Sequence, residues 1–203
     1  MTPLEKIIRE HIDQTGPIRL DRFMEFCLTH PDYGYYSQAN AIGGASNSGD
    51  FITAPEVSQM FGEMLAVWIM STWQALGQPE RLGLIELGPG RGTMLADILT
   101  VLKSQPTLMG GLQLYVLDSN PTRWREKLST HAINHITRLD QLQTDVPLIA
   151  IGNEFFDALP VRQFVRIGEG AEAQWGETHI YANAENLGLC QTITALPAIL
   201  DDD

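Results

Sequence analysis

The first apolar positions recur at helical spacing: Leu4, Ile7, Ile8 and Ile12 line one face behind Thr2 and Pro3. Proline suits a first helical position because its missing N–H would have no partner there. Gly16-Pro17 ends this helix, and a second is predicted over Leu20 to Thr29. It stops before Pro31, whose ring disfavours helical geometry in the preceding residue. From Pro31 to Asn47 the chain is rich in Gly, Ser, Asn and Tyr and reads as a loop. Thr53-Ala54-Pro55-Glu56 then has the spacing of a capping box, in which hydroxyl and carboxylate satisfy each other's backbone N–H. Behind it Val57, Met60, Phe61, Met64, Leu65, Trp68, Ile69 and Thr72 follow an i, i+3, i+4 pattern. That predicts a long helix whose Met and aromatic stripe packs in a core.

After Gly77 the period changes. Leu82 to Leu87, Leu112 to Leu117 and Leu148 to Ile151 are short apolar runs of strand character. A helix is predicted from about Thr93 to Lys103, and another from Asn120-Pro121, with Asn as cap and Pro at the first position. Strands alternating with helices predict a parallel α/β sheet. Beyond Gln163 the pattern weakens to two hairpin strands, Phe164 to Ile167 and Thr178 to Tyr181, and a frayed end at Asp201-Asp202-Asp203. The expected divisions are a helical N-terminal extension over 1–80, a Rossmann-like core over 81–163, and a β-rich or irregular tail over 164–203.

Composition narrows the partners. The 203 residues carry a formal net charge of −12, which argues against nucleic acid, since phosphate binding needs clustered Lys and Arg. Cys27 and Cys190 stand far apart without a metal-binding neighbourhood, which fits a reducing compartment. No apolar run approaches the roughly 18 residues a membrane span needs. The first residues, MTPLEKIIREHIDQ, mix acids with bases and lack a signal peptide's apolar centre, so a cytoplasmic protein is expected. His131 and His135 are four apart, as paired ligands on a helix would be, but no third ligand accompanies them.

The central chemical motif is Glu86-Leu87-Gly88-Pro89-Gly90-Arg91-Gly92-Thr93, between a predicted strand and a predicted helix. Gly88 and Gly90 let the backbone bend and approach a ligand, and the helix start beyond offers unpaired N–H groups. A second acid, Asp118, closes the next strand, where it can take both hydroxyls of a ribose. A nicotinamide dinucleotide would call for G-x-G-x-x-G, which sets a helix against a pyrophosphate. The spacing here is G-x-G-x-G, and S-adenosylmethionine, which has no phosphate, suits an acidic loop better.

A second motif, Gly152-Asn153-Glu154-Phe155-Phe156-Asp157, follows the strand at Leu148 to Ile151. Open α/β sheets place chemistry at such carboxyl ends. Asn153, Glu154 and Asp157 either meet a substrate or cap the next helix, and the residues alone do not choose. The segment from Ser48 through Asp50 to Glu56 reads as a loop leading into a capped helix.

Taken together, GDFITAPEVSQMFGE, ELGPGRGT and NEFFDALPVRQF resemble the MidA-like methyltransferase family, whose mitochondrial member is a complex I assembly factor that methylates an arginine. The resemblance runs from the first helix to about Phe164 and includes Pro31-Asp32-Tyr33-Gly34-Tyr35-Tyr36. It implies an α/β, Rossmann-like class I methyltransferase sheet with an N-terminal helical extension. It also implies N-methylation of a protein arginine on an NADH dehydrogenase subunit, with S-adenosyl-L-methionine as cofactor. By position, Glu86, Gly88, Gly90 and Gly92 would form the cofactor loop and Asp118 would hold the ribose. Asp50, Thr53 and Glu56 would close the site from the N-terminal side, and Glu154 and Asp157, beside Asn153, would face the substrate.

Residues 167–203 do not match the family's later strands. The sheet is therefore expected to be incomplete, with Leu148 to Ile151 an open edge and Phe155 and Phe156 poorly covered. Such an edge invites self-association, or a missing C-terminal half supplied in trans. The alternatives are a truncated, non-catalytic assembly or binding protein and an NAD-dependent oxidoreductase.

Overall fold

The computed structural model describes residues 1–37 and 52–195. Helix α1 (Pro3–Thr15) leads through the two-residue strand β1 (Ile18–Arg19) into α2 (Leu20–Thr29). The chain continues with α3 (Ala54–Val57), α4 (Gln59–Ala75), β2 (Leu82–Leu87), α5 (Thr93–Leu102) and α6 (Pro106–Gly111). Next come β3 (Leu112–Leu117), β4 (Ile133–Ile136) and β5 (Leu148–Gly152). Strands β6 (Phe164–Ile167), β7 (Gln174–Ala182) and β8 (Leu187–Ile193) complete the described chain. The described residues form two compact units, 52–155 and 1–37 with 156–195. These boundaries differ from divisions at 80 and 163. Helix α4 belongs with the core, and the first two helices share a unit with the last three strands.

In the core unit the strand order is β4-β3-β2-β5 and every neighbouring pair is parallel. Strand β2 is central, with Leu84 lying between Leu114 and Ile149. Leu82 to Glu86 are all buried, which a strand covered on both faces requires. On one face Leu84, Val116 and Ile151 pack with Ile98 and Leu99 of α5 and Ile69 of α4. On the other, Ile85, Tyr115, Leu117 and Ile136 gather with Phe155 beside them. Among the described residues β5 is paired on one side only. The α/β parallel class expected from the sequence is the one found.

Helix α4 departs from the expected packing. Its buried face is Gly62, Ala66, Ile69 and Trp73, and a Cβ at Gly62 would lie 2.6 Å from Asp97 Cβ, so glycine sets the close approach of α4 to α5. Of the expected core stripe, Ile69 is buried and Phe61 and Leu65 are partly buried. Val57, Met60, Met64 and Trp68 are at least half exposed. The helix is apolar around most of its circumference, so periodicity could not say which side meets the sheet. The expected capping box is also absent. Thr53 caps α3 without a side-chain hydrogen bond, and Ser58 restarts the helix by accepting from Met60 N at 3.2 Å.

Residues 121–130 form consecutive turns rather than the helix expected from Asn120-Pro121. Asn120 Oδ1 still accepts from Thr122 N and Oγ1 at 3.1 and 2.6 Å. His135 lies on a strand and His131 outside any helix, so the pair lacks helical spacing in space. Among the described residues no cluster of potential ligands could hold a metal ion, and no helix is long and apolar enough to cross a membrane.

The other unit is an antiparallel sheet around β7. Strand β8 pairs along one edge, and β1 and β6 share the other through Ile18↔Ile180 and Phe164↔Glu177. Phe164 to Ile167 and Thr178 to Tyr181 are thus in strands, with the tight hairpin made by β7 and β8 at Asn183. There Oδ1 accepts from Glu185 N and Asn186 N at 2.9 and 2.8 Å. Ile8 and Ile12 of α1 pack with Ile18 and Ile180. Buried Glu177 is held bidentately by Arg162 at 2.6 and 3.0 Å.

Replacing Gly62 with Ala tests the α4–α5 contact. Helix propensity favours Ala by about 1 kcal/mol, but overpacking costs about 1–3 kcal/mol. A lower midpoint in urea unfolding is expected, whereas Met64→Gln on the exposed face should stay within about 0.5 kcal/mol of the parent.

Candidate functional site

The carboxyl ends of β2, β3 and β5 bring together most of the expected site. After β2 the backbone enters left-handed geometry three times, at Gly88, Gly90 and Gly92, with φ of 64, 56 and 76°. Glycine is the residue that adopts this at no steric cost. Gly88 N donates to Leu117 O at 2.9 Å, which ties the loop to the end of β3. A Cβ at Gly88 would meet the Phe155 ring at 2.7 Å, and one at Gly92 would meet Trp124 Cβ at 3.1 Å. Phe155 therefore packs on the loop, while Phe156 is exposed. At Gly90 a Cβ would meet nothing within 4 Å among the described residues, so on that side the middle of the loop faces open space where a ligand could approach the backbone.

Two carboxyls flank that loop. Asp118, directly after β3, is partly buried. Its Oδ1 accepts from Asn120 N at 2.7 Å, and its own carbonyl accepts from His135 Nε2 at 2.7 Å. Burial pushes the Asp118 carboxyl above its ordinary value, opposed by the Asn120 hydrogen bond and by the charges of His135 and Arg123. Glu86, at the end of β2, is 1% exposed. Its Oε2 has no hydrogen-bond partner among the described residues. Burial first, and then the Asp118 charge, push its carboxyl up to about 8.

The start of α5 is secured from the N-terminal side. Thr93 Oγ1 donates to Glu56 Oε1 at 2.7 Å and accepts from Lys127 Nζ at 2.8 Å. Arg91 lies 3.9 Å from the same Glu56 carboxylate. Glu56 thus reaches the cofactor-type loop instead of capping its own helix. Thr53 opens α3 nearby in sequence. Asp50 lies outside the described residues.

Asn153 and Glu154 follow β5. Asn153 lines an apolar groove of about 380 Å³ with Phe61, Leu65, Trp68, Met94 and Ile151. Glu154 is exposed and has φ 48°, a strained geometry for a non-glycine residue and a frequent mark of functional loops. Asp157 lies in a single 3-10 turn, Phe156–Ala158, within the other unit. The helix that Glu154 and Asp157 would have capped is absent.

Lys127 escaped the sequence reading, and the place of His135 at the site did too. Lys127 sits in the turn-rich stretch that offers no motif. His135 enters the sequence reading only as half of a possible metal pair, and its place on β4, beside the acid closing β3, gives no sequence signal because β4 carries no apolar run.

The chain is similar to known proteins. A family profile described as "Putative S-adenosyl-L-methionine-dependent methyltransferase" matches residues 64–198. The "Protein arginine methyltransferase NDUFAF7, mitochondrial" of Danio rerio is 34% identical, covering 90% of this chain and 48% of that protein. The Drosophila melanogaster homolog is 32% identical, with 87% and 44% covered. A crystal structure from Burkholderia thailandensis, bound to S-adenosyl-homocysteine, superposes with a TM-score of 0.68 at 28% identity. It covers 96% of this chain and 50% of that one. The chain thus spans about half the length of the relatives it matches. One expectation is corrected: the Danio and Drosophila proteins are both named mitochondrial, so the cytoplasmic placement read from composition and the first residues is withdrawn.

Glu86 supplies a stability test. The folded chain keeps a proton that the unfolded chain loses near the ordinary value of 4.5. The unfolded state therefore binds fewer protons between 4.5 and about 8, and stability falls as pH rises through that window, by up to about 1.4 kcal/mol per pH unit. Urea midpoints at pH 5, 6.5 and 8 should show this fall in the parent and a flatter profile in Glu86→Gln.

Proposed function

We propose, since the chain belongs to the S-adenosyl-L-methionine-dependent methyltransferase family, that it carries the cofactor site of an enzyme methylating a protein arginine. The observation that carries this reading is the left-handed glycine loop with open space at Gly90 and a partly buried acid, Asp118, one strand away. S-adenosyl-L-methionine, when bound, supplies an activated methyl group on a sulfonium. The loop backbone at Gly88 to Gly92 approaches the cofactor, and Asp118 accepts from the ribose hydroxyls. Glu56, Arg91, Thr93 and Lys127 hold the loop's helical end in place. The absence of a phosphate-type third glycine keeps nicotinamide cofactors in second place.

The acceptor reading rests on the names of the relatives, which are called protein arginine methyltransferases. Arginine's guanidinium is charged at ordinary pH, and a carboxylate can hold it bidentately while fixing the direction of the attacking nitrogen. Asn153 and Glu154, after β5, are the candidates in the core unit, and Asp50 and Asp157 are further candidates by resemblance. Aligning nucleophile, methyl and sulfur is the main task, and good alignment contributes about 7–11 kcal/mol. An NADH dehydrogenase subunit of complex I is the proposed protein substrate.

Calorimetric titration tests the cofactor site. Asp118→Ala removes hydrogen bonds to a charged group worth about 1.5–3 kcal/mol each, so affinity for S-adenosylmethionine should fall at least about tenfold. Gly90→Val places a branched residue at φ 56° and should weaken binding as well. NADH should give no heat. Parent-like affinity in both variants would place the site elsewhere.

A further inference from the structure

Glu86 is a carboxyl without a structural occupation. Its neighbours across the sheet are Val116 of β3 and Ile151 of β5, both apolar. It is 1% exposed, and Oε2 has no hydrogen-bond partner among the described residues. The charged groups around it follow from the elements packed on β2. Asp118 at the end of β3 is the one whose charge reaches it, and His135 of β4 and Arg123 act on Asp118. On α5, Asp97 feels the charges of Lys127, Glu63 and Glu56. Among the described residues no cation acts on Glu86.

An ionised carboxylate buried in this way costs far more than a neutral one, and such a group keeps its proton. A structural role would have given it a partner, or evolution an apolar residue of the same shape, which is often as stable. What it lacks is a positive charge, and it stands two residues before Gly88, under the loop that would receive the cofactor. S-adenosylmethionine brings two such charges, on its sulfonium and its ammonium, against one carboxylate, and is a net cation.

We propose that Glu86 is the charge-reading residue of the cofactor site: neutral in the free chain, it ionises when the cationic cofactor binds, so that cofactor uptake releases a proton. In the step, the carboxyl O–H bond breaks, the proton passes to solvent buffer, and the carboxylate electron pair remains to face the cofactor's positive charge. Nothing is oxidised or reduced. Direct contact is not required, because charges interact strongly through a poorly solvated site. Asp118 keeps a separate task at the ribose. Binding is then favoured by rising pH, since the complex holds one proton fewer than its parts, which is consistent with the raised Glu86 carboxyl.

This inference rests on the cofactor reading above, and one experiment separates the two. S-adenosylmethionine is titrated into the whole chain by calorimetry, in buffers of different ionisation enthalpy, between pH 6 and 9. The parent should release more protons per cofactor at pH 7 than Glu86→Gln, a comparison that removes the cofactor's own titration. Parent affinity relative to Glu86→Gln should rise roughly tenfold from pH 6 to 7 and level off above about pH 8. Binding by the parent without proton release would overturn the proposal and leave the cofactor reading standing, as would an equal release from Glu86→Gln. Binding at no pH would overturn both. Should Glu86→Gln fail to fold, Glu86→Leu, which removes the same proton with an apolar side chain, takes its place, and a release equal to the parent's would overturn the proposal.

Discussion

The structure depends on one strand having to be buried on both faces while ending in a polar turn. Strand β2 is covered on either side by apolar layers and paired along both edges. No polar side chain could be placed there cheaply, yet the strand delivers Glu86 to its end and then turns through three left-handed glycines. Everything at the site is positioned from this strand. Gly88 N is tied to the end of β3, Phe155 seals the loop from the β5 side, and the start of α5 is held by Glu56 and Lys127. The parallel arrangement brings all three carboxyl ends to one rim, where backbone groups leave the sheet and can serve a ligand.

Elements with uniform apolar runs were legible from the residues. LGLIEL and LQLYVL became β2 and β3 because strands covered on both faces tolerate little else, and LIAI became the start of β5, which buries only Ile149 and Ile151. Strand β4, with Asn134 and His135 in four residues, has no such run. Its polar side chains are satisfied by the backbone, as when Asn134 Nδ2 donates to Leu114 O at 3.1 Å. Helix α6 contains Gly110-Gly111 at its end and has no periodic face to recognise. Strand β8 alternates too weakly, since only its contact with β7 gives it direction. Helix α4 shows the complementary limit: a helix apolar nearly all round reveals that it is a helix, and conceals which side is the inside.

The candidate site was legible where glycine geometry or strand position demanded a residue. Gly88, Gly90, Gly92 and Asp118 fall where their spacing placed them, and their cofactor roles are proposals of the reading above. The Thr53–Glu56 box was a local pattern outcompeted by a distant partner, because Thr93 Oγ1 offers Glu56 a hydrogen bond at 2.7 Å. Asn153 and Glu154 lie at the strand end that topology favours, and Asp157 falls in the other unit. No local pattern marks where one unit gives way to the next, because Glu154-Phe155-Phe156-Asp157 is continuous in sequence and divided in space.

The pairing of β1 with β7 has a consequence for how the chain is made. Residues 52–155 are contiguous, so their fold can form as soon as that stretch is complete. Ile18 meets Ile180 and Arg19 meets His179 only once synthesis has passed β7. At about 5–20 residues per second of synthesis, helices α1 and α2 wait on the order of ten seconds for the strand they cover. Through that interval Ile8 and Ile12 have no sheet to pack against. Nascent-chain helpers would find their apolar target in helices α1 and α2, and slowing of the ribosome before it reaches β7 would lengthen their exposure.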